Sequence, residues 1–362
     1  MMKRLLAAAL LSFASLLPAA AQDKVVHVYN WSDYIDPKVL EDFTRETGIK
    51  VVYDVYDKNE TVEAKLLAGK SGYDVVVPSA TFLQRFIEQK LLQPIDSAKL
   101  PNLKNQWPQI QTSIAVYDPG NKFGVPYMWG TVGVGVNVKK VSEALGEAPP
   151  ATWDVALDPK LVGKLKSCGV HILDAPEDVL PAALRWLKLD PNSKKADDIR
   201  KAAAALVKVR GNVRKFHSSE YINALANGDI CMAVGYSGDV LQAKKRAEEA
   251  KNGVEIAYII PREGAQVAID SFAIPADAPH VAEAHAFIDF MMRPDIAARN
   301  VNVVAFASGN LAAKAEIKPE ILRDRGVYPD EETFARLFTI TTYDDRLQKV
   351  VTREWTRVMT GK

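Results

Sequence analysis

Between residues 25 and 79 the chain switches between strand and helix patterns four times, and this alternation constrains the fold more than any other feature. Residues 25–28 (Val-Val-His-Val) read as a short buried strand, and Pro37 opens a helical pattern with Val39, Leu40 and Phe43 on one face. Residues 50–56 alternate as a second strand, and 60–67 form an amphipathic helix. Residues 71–79 carry a third strand whose apolar run, Val75-Val76-Val77, suits a parallel strand covered on both faces. A βαβαβ order of this kind predicts a doubly wound lobe, in which ligands bind beyond the carboxyl ends of the strands. Tyr29-Asn30-Trp31-Ser32-Asp33-Tyr34-Ile35 falls at that edge and offers two aromatic faces, a hydroxyl and a carboxylate, a set able to hold a cation. Core packing of Trp31 and Tyr34 is the competing reading. Ser79 ends the third strand and lines the same crevice, caps the next helix near Thr81, or does both.

Further along, residues 92–121 are rich in Pro, Asn and Gln and read as surface connections, and 123–138 as a long strand crossing between two lobes. Gly133-Val134-Gly135 matches half of a nucleotide fingerprint, but no third glycine or helix start follows, so no phosphate loop is expected. A second α/β pattern begins past Pro149-Pro150. A helix opens at Asp174-Ala175-Pro176-Glu177-Asp178, where acids suit the helix dipole; a ligand role requires Glu177 or Asp178 to face a cleft. Another helix covers 196–209, a strand 213–216, a helix 220–226 and a strand 230–234. Gly235-Tyr236-Ser237-Gly238-Asp239 then repeats the motif of an aromatic and an acid at a strand end. Residues 254–260 read as a second crossing. Asp270 lies inside an apolar stretch at 268–275, so it needs hydrogen bonds or a cationic partner, a structural salt bridge being the alternative. The remainder reads as helix at 280–292, a loop at 303–306 and a mainly helical closing segment at 331–358. A chain of 362 residues exceeds the usual single core, which favours two lobes.

Lys3 and Arg4 precede an apolar run from Leu5 to Leu17 and then Pro18-Ala19-Ala20-Ala21, the pattern of a secretory signal peptide over residues 1–21. The run is shorter than the roughly 20 residues of a spanning helix. Without the leader, 44 basic residues face 45 acidic ones, a balance that gives no support to nucleic-acid binding. The two cysteines, Cys168 and Cys231, form an even pair in an oxidising compartment and point to one disulfide rather than a metal site. His27, His171, His217, His280 and His285 are scattered and supply no ligand spacing, so neither a metal nor a cofactor is expected. No nucleophile elbow, P-loop or catalytic histidine pairing occurs, and no enzyme activity is expected. What recurs is aromatics and carboxylates at strand ends, which suits amines joined by methylenes.

Five stretches carry a resemblance: residues 29–35, Gly72-Tyr73-Asp74-Val75-Val76-Val77-Pro78-Ser79, Phe216-His217-Ser218-Ser219, Asn227-Gly228-Asp229-Ile230-Cys231 and Gly235-Tyr236-Ser237-Gly238-Asp239. They resemble the periplasmic polyamine-binding proteins, the solute-binding subunits of bacterial ABC importers for putrescine and spermidine, closest to the putrescine-type members. The resemblance covers essentially the whole chain past the leader. It implies an α/β fold of the type II periplasmic binding protein kind, with two doubly wound lobes joined by crossing strands around a ligand cleft. The lobes would close over a diamine, which an inner-membrane permease then receives. Carried over by position, Trp31 and Tyr34 pack along the aliphatic chain, Ser32 and Ser79 add polar contacts, and Asp33 flanks the mouth. Asp239 and Asp270 match the carboxylates for the amino groups, and the acidic position at the helix start falls on Asp178, with Glu177 the one-residue alternative. Cys168 and Cys231 match a bridged pair. Three positions depart from the pattern: Tyr236 where Trp is expected, Phe306 where Tyr is expected, and Ala268 where a large aromatic packs over the ligand.

The expected division is a first lobe of 22–130 and 257–302 and a second of 131–256 and 303–362. The protein is expected to act as a monomer in the periplasm. Two rival readings are a secreted hydrolase using Asp239 and Asp270 as an acid/base pair, and a polyamine sensor.

Overall fold

Strand β1 (Val25–Trp31) sends Val26 and Val28 to one face and Tyr29 to the other, and both faces are covered. Val26 and Val28 join Phe43, Phe272 and Phe287, whereas Tyr29 joins Tyr56, Val62 and Leu66. The described residues of this computed structural model are 24–361, so the signal peptide read over 1–21 lies outside them. The first helix, Pro37–Thr47, starts where Asp36 accepts from the backbone N–H of Lys38 (3.0 Å) and ends at Gly48, whose φ of 71° is left-handed. Such a cap contributes about 1 kcal/mol. β2 (Lys50–Tyr56) and β3 (Val75–Val76) flank β1 in parallel, giving the expected doubly wound start. β4 (Leu92–Gln93) follows, and the stretch read as surface connections also contains a helix, Pro108–Ile114.

Both lobes hang on β5 (Gly124–Asn137), a 14-residue strand buried throughout. Toward the C-terminal side, β6 (Val170–Ile172), β7 (Lys215–Phe216), β8 (Met232–Tyr236) and β9 (Ile256–Ile259) build the second lobe. β10 (Val267–Pro275) and β11 (Ala307–Ser308) return to the first. The front of β5 pairs antiparallel with β10, from Thr131↔Val267 to Gly124↔Ala273, and its rear pairs with β8 and β9. The strand order is β2-β1-β3-β10-β5-β8-β6-β7. Residues 254–260, read as a crossing, instead lie in the second lobe, because Ile256–Ile259 pairs with Val134–Asn137. The chain crosses just afterwards.

A third segment reaches the junction. Val132 donates to Gln266 (3.0 Å), Val267 to Phe338 (2.8 Å) and Phe338 to Ala265 (3.0 Å), all through backbone groups. Residues 335–344 therefore run back across the lobes as irregular chain, and the closing segment is helical only at Glu331–Phe334 and Asp345–Thr360. The last helix places Leu347, Val351, Trp355 and Val358 in the second core beside Val134, Ile172 and Leu206. Cys168 and Cys231 are joined, tying the approaches to the parallel neighbours β6 and β8.

Candidate functional site

The ends of β1, β3 and β8, the start of β10 and the N-terminus of the helix Pro176–Trp186 meet at a cleft between the lobes. Of the twelve site residues read from the sequence, eleven line it: Trp31, Ser32, Tyr34, Ser79, Glu177, Asp178, Tyr236, Asp239, Ala268, Asp270 and Phe306. Asp33 does not. With φ at 54° it turns to the rim, where its carboxylate meets Arg246 of the opposite lobe at 2.7 Å. Two more polar contacts bridge the lobes, Lys58 with Asp174 and the His217 ring with Asp57 (3.5 Å).

The aromatic wall is fixed by its own hydrogen bonds. Trp31 donates Nε1–H to the carbonyl of Val77 (2.8 Å) and lies against Tyr56, ring centroids 4.6 Å apart. Ser32 donates its hydroxyl to the carbonyl of Tyr56 (3.1 Å), and Ser79 accepts from the side-chain amide of Asn59 (2.7 Å). Phe306 follows the left-handed Ala305 that ends the helix Pro294–Val304, so part of the expected loop is helical. Its ring fits a slot that only glycines allow. A Cβ on Gly130 would stand 2.8 Å from the Phe306 ring, and one on Gly238 2.1 Å from it. Tyr34 meets the same ring edge-on at 4.8 Å.

Three tyrosines hold three aspartates of the cleft, Asp178 and Asp239 buried and Asp270 half-buried. Tyr34 donates to Asp270 (2.7 Å), Tyr221 to Asp239 (2.5 Å) and Tyr236 to Asp178 (2.6 Å). Asp178 also accepts from the Gln266 amide (2.7 Å). Burial pushes the carboxyls of Asp239 and Asp270 up to about 7 and that of Asp178 to about 6, each against the pull of its tyrosine. The charges of Asp178 and Asp239 raise Asp270 further. Glu177 is held well above the usual carboxylate range by burial, then by the charges of Glu60 and Asp178. Five acids line the cleft (Asp57, Glu177, Asp178, Asp239 and Asp270), and among the described residues no Lys, Arg or His does.

These raised values have a definite sign in stability. Between the unfolded aspartate value near 4 and the folded value near 7, the folded chain binds more protons than the unfolded one, so each such group costs stability as pH rises. Asp239→Asn is therefore expected to raise the melting temperature of ligand-free protein more at pH 8 than at pH 5. Tyr221 keeps an acceptor in that variant, while Asp33 and Arg246 are the charges facing it. The difference from wild type matters because His171, lowered by burial, acts in the opposite direction. An equal shift at both pH values would contradict the assignment.

The sequence reading missed Tyr221, Gln266, Tyr56 and Asn59. Tyr221 lies two residues past the run at 216–219 but has the spacing of a core helix residue, and it is fully buried. Two polar atoms of buried lining residues have no hydrogen-bond partner, Oε1 of Gln266 and Oγ of Ser218.

A family model described as bacterial extracellular solute-binding protein matches residues 38–325. The putrescine-binding periplasmic protein PotF of Escherichia coli is 50% identical over 359 residues, covering 99% of this chain and 97% of that protein. The putrescine-binding periplasmic protein SpuD of Pseudomonas aeruginosa is likewise 50% identical, with 99% and 98% covered. Among solved structures, a putative spermidine/putrescine ABC transporter protein from Listeria monocytogenes superposes with a TM-score of 0.83 at 29% identity. It covers 94% of this chain and 100% of that one.

Proposed function

The chain belongs to the bacterial extracellular solute-binding proteins, and from that membership we propose that its cleft holds a polyamine, a putrescine-like diamine first among them. The fold is the two-lobed one of that group, and the protein is a periplasmic binding component of an ABC importer, not an enzyme. The hydrolase reading of Asp239 and Asp270 has no support among relatives named as binding proteins.

One observation carries the ligand assignment: a cleft walled by aromatic faces and five acids, with no basic side chain in its lining among the described residues. Buried carboxylates need cationic partners, and here the partner must come from outside. In this reading Asp239 and Asp270 take ammonium groups, Trp31, Tyr34, Tyr236 and Phe306 cover the methylenes, and Ser32, Ser79, Glu177 and Asp178 complete the polar contacts. Asp33 serves closure through Arg246 rather than touching ligand. The bound diamine passes to a membrane permease, and the binding protein acts as a monomer without nucleic acid. Calorimetry with putrescine, cadaverine, agmatine, spermidine and spermine tests the assignment, and heats of dilution alone for all five would end it.

Ala268 sets the width of the site. It lies on β10 opposite Gly130, so neither strand contributes a large side chain there. Ala268→Phe should tighten putrescine binding by about 0.5–2 kcal/mol through an added cation–π face. The gain shrinks where the new ring crowds its neighbours. Wild type and variant with the same putrescine/spermidine preference would remove Ala268 from the specificity wall.

We also propose that the lobes divide at the crossings. Support comes from the cores, one drawing on Val132–Ile259 and on Leu347–Val358, the others on residues before Thr131 and after Pro261 apart from Tyr236, Leu241 and Tyr258, which reach across the cleft side. Ala307 and Val327 pack with the first lobe, so the proposal moves residues 303–328 from the second lobe to the first.

A further inference from the structure

Gln266 is a lining residue that stands on the junction itself. Its carbonyl accepts from Val132 of β5, and it bridges to Phe338 of the third crossing, so its backbone is held by all three connections. Its side chain is equally constrained. Nε2 donates to Oδ1 of Asp178 at 2.7 Å, while Oδ2 of the same carboxylate takes the hydroxyl of Tyr236 at 2.6 Å. An ionised carboxylate only accepts hydrogen bonds, so the amide must turn its NH₂ toward Asp178. The other amide atom, Oε1, then faces away from Asp178. It is buried without a partner in a residue 5% exposed that lines the cleft. A buried acceptor left unpaired is unfavourable, and native structures rarely keep one without use.

We propose that Gln266 is a specificity-determining residue: its Oε1 accepts an N–H from the second ammonium of a bound diamine, at the Asp178 end of the cleft. This rests on the polyamine reading above and adds to it. The carboxylates recognise charge, which any cation of the right size supplies. A neutral acceptor held at a fixed angle recognises N–H donors, and so favours primary amine ends. Asp178 and Tyr236 thereby act partly through Gln266, by fixing which way its amide points. Because the residue sits on the junction, the acceptor keeps its place relative to both lobes.

A ligand-truncation cycle tests this. Gln266→Met preserves length and burial but removes both amide functions. It should weaken putrescine about tenfold while leaving 1-aminobutane, which lacks the second ammonium, within twofold of wild type in competition calorimetry. A general distortion of the cleft would weaken both ligands equally and overturn the proposal. Gln266→Glu guards against a Met variant that does not fold. Sharing a proton with Asp178, the Glu side chain still presents an acceptor to the cleft, and putrescine should bind within threefold of wild type. A tenfold loss in that variant counts against the proposal. A wild type that binds no diamine overturns both this inference and the function it rests on. Normal wild-type binding with an unchanged Gln266→Met variant overturns this inference alone.

Discussion

Asp270→Asn is expected to weaken putrescine binding by about 2–5 kcal/mol, the usual cost of removing one member of a desolvated charge pair. At about 1.4 kcal/mol per tenfold change in affinity, that is a loss of more than twentyfold. The substitution keeps the shape of the side chain, and Tyr34, 2.7 Å from the carboxylate, can still donate to the amide oxygen. What disappears is the charge. Asp270 sits within the fields of Asp178 and Asp239 and has no basic side chain beside it, so an ammonium is the group that offsets its burial. The free protein should tolerate the change well for the same reason, since a costly buried charge is gone. Calorimetry at pH 8, where the wild-type carboxyl is ionised, gives the cleanest comparison. Putrescine binding within a factor of three of wild type would take Asp270 out of the site.

Replacing Cys168 and Cys231 by serine is expected to cost the second lobe roughly 2–4 kcal/mol. The bridge closes a loop of 63 residues, for which chain entropy alone gives about 4 kcal/mol, and the loop contains the helices Pro176–Trp186, Ala196–Arg210 and Tyr221–Ala226. In domains of this size each kcal/mol moves the melting temperature by about 2–4 °C, so a fall on the order of 10 °C should follow. Reductant should reproduce it in wild type and leave the double variant unaffected. Diamine affinity at 25 °C should change little, because Asp178 and Asp239 are held by Tyr236 and Tyr221 rather than by the bridge. A melting temperature indifferent to reductant would show that the bridge does not stabilise the lobe.

The sequence announces the site wherever chemistry lies next to a strand end. Trp31, Ser79, Tyr236 and Asp239 all follow apolar runs whose period is plain, and the parallel strands of each lobe carry such ends to that lobe's side of the cleft. It is silent where contacts join remote residues. Arg246 lies 213 residues from Asp33, and helical spacing makes it look like any solvated arginine. Tyr221 has the periodicity of a core helix, and its hydroxyl acquires meaning only once Asp239 is packed against it. Residues 256–259 look the same whether a strand crosses or stays, because only pairing with Val134–Asn137 decides which lobe receives them.

The route of the chain through its two cores also bears on its biogenesis. β5 enters the second lobe early, yet the first lobe still needs β10 and Phe287, and the second needs Trp355 and Val358, seven and four residues from the C-terminus. While a ribosome is still making the final helix, the second lobe lacks part of its buried set, whereas the first lobe's, which runs to Val327, has already been made. Domains that fold as contiguous units can close during synthesis; the second lobe, interleaved with the first, must wait for its last helix. The second lobe is therefore expected to close only once that helix is made, in the compartment where the Cys168–Cys231 bridge can form.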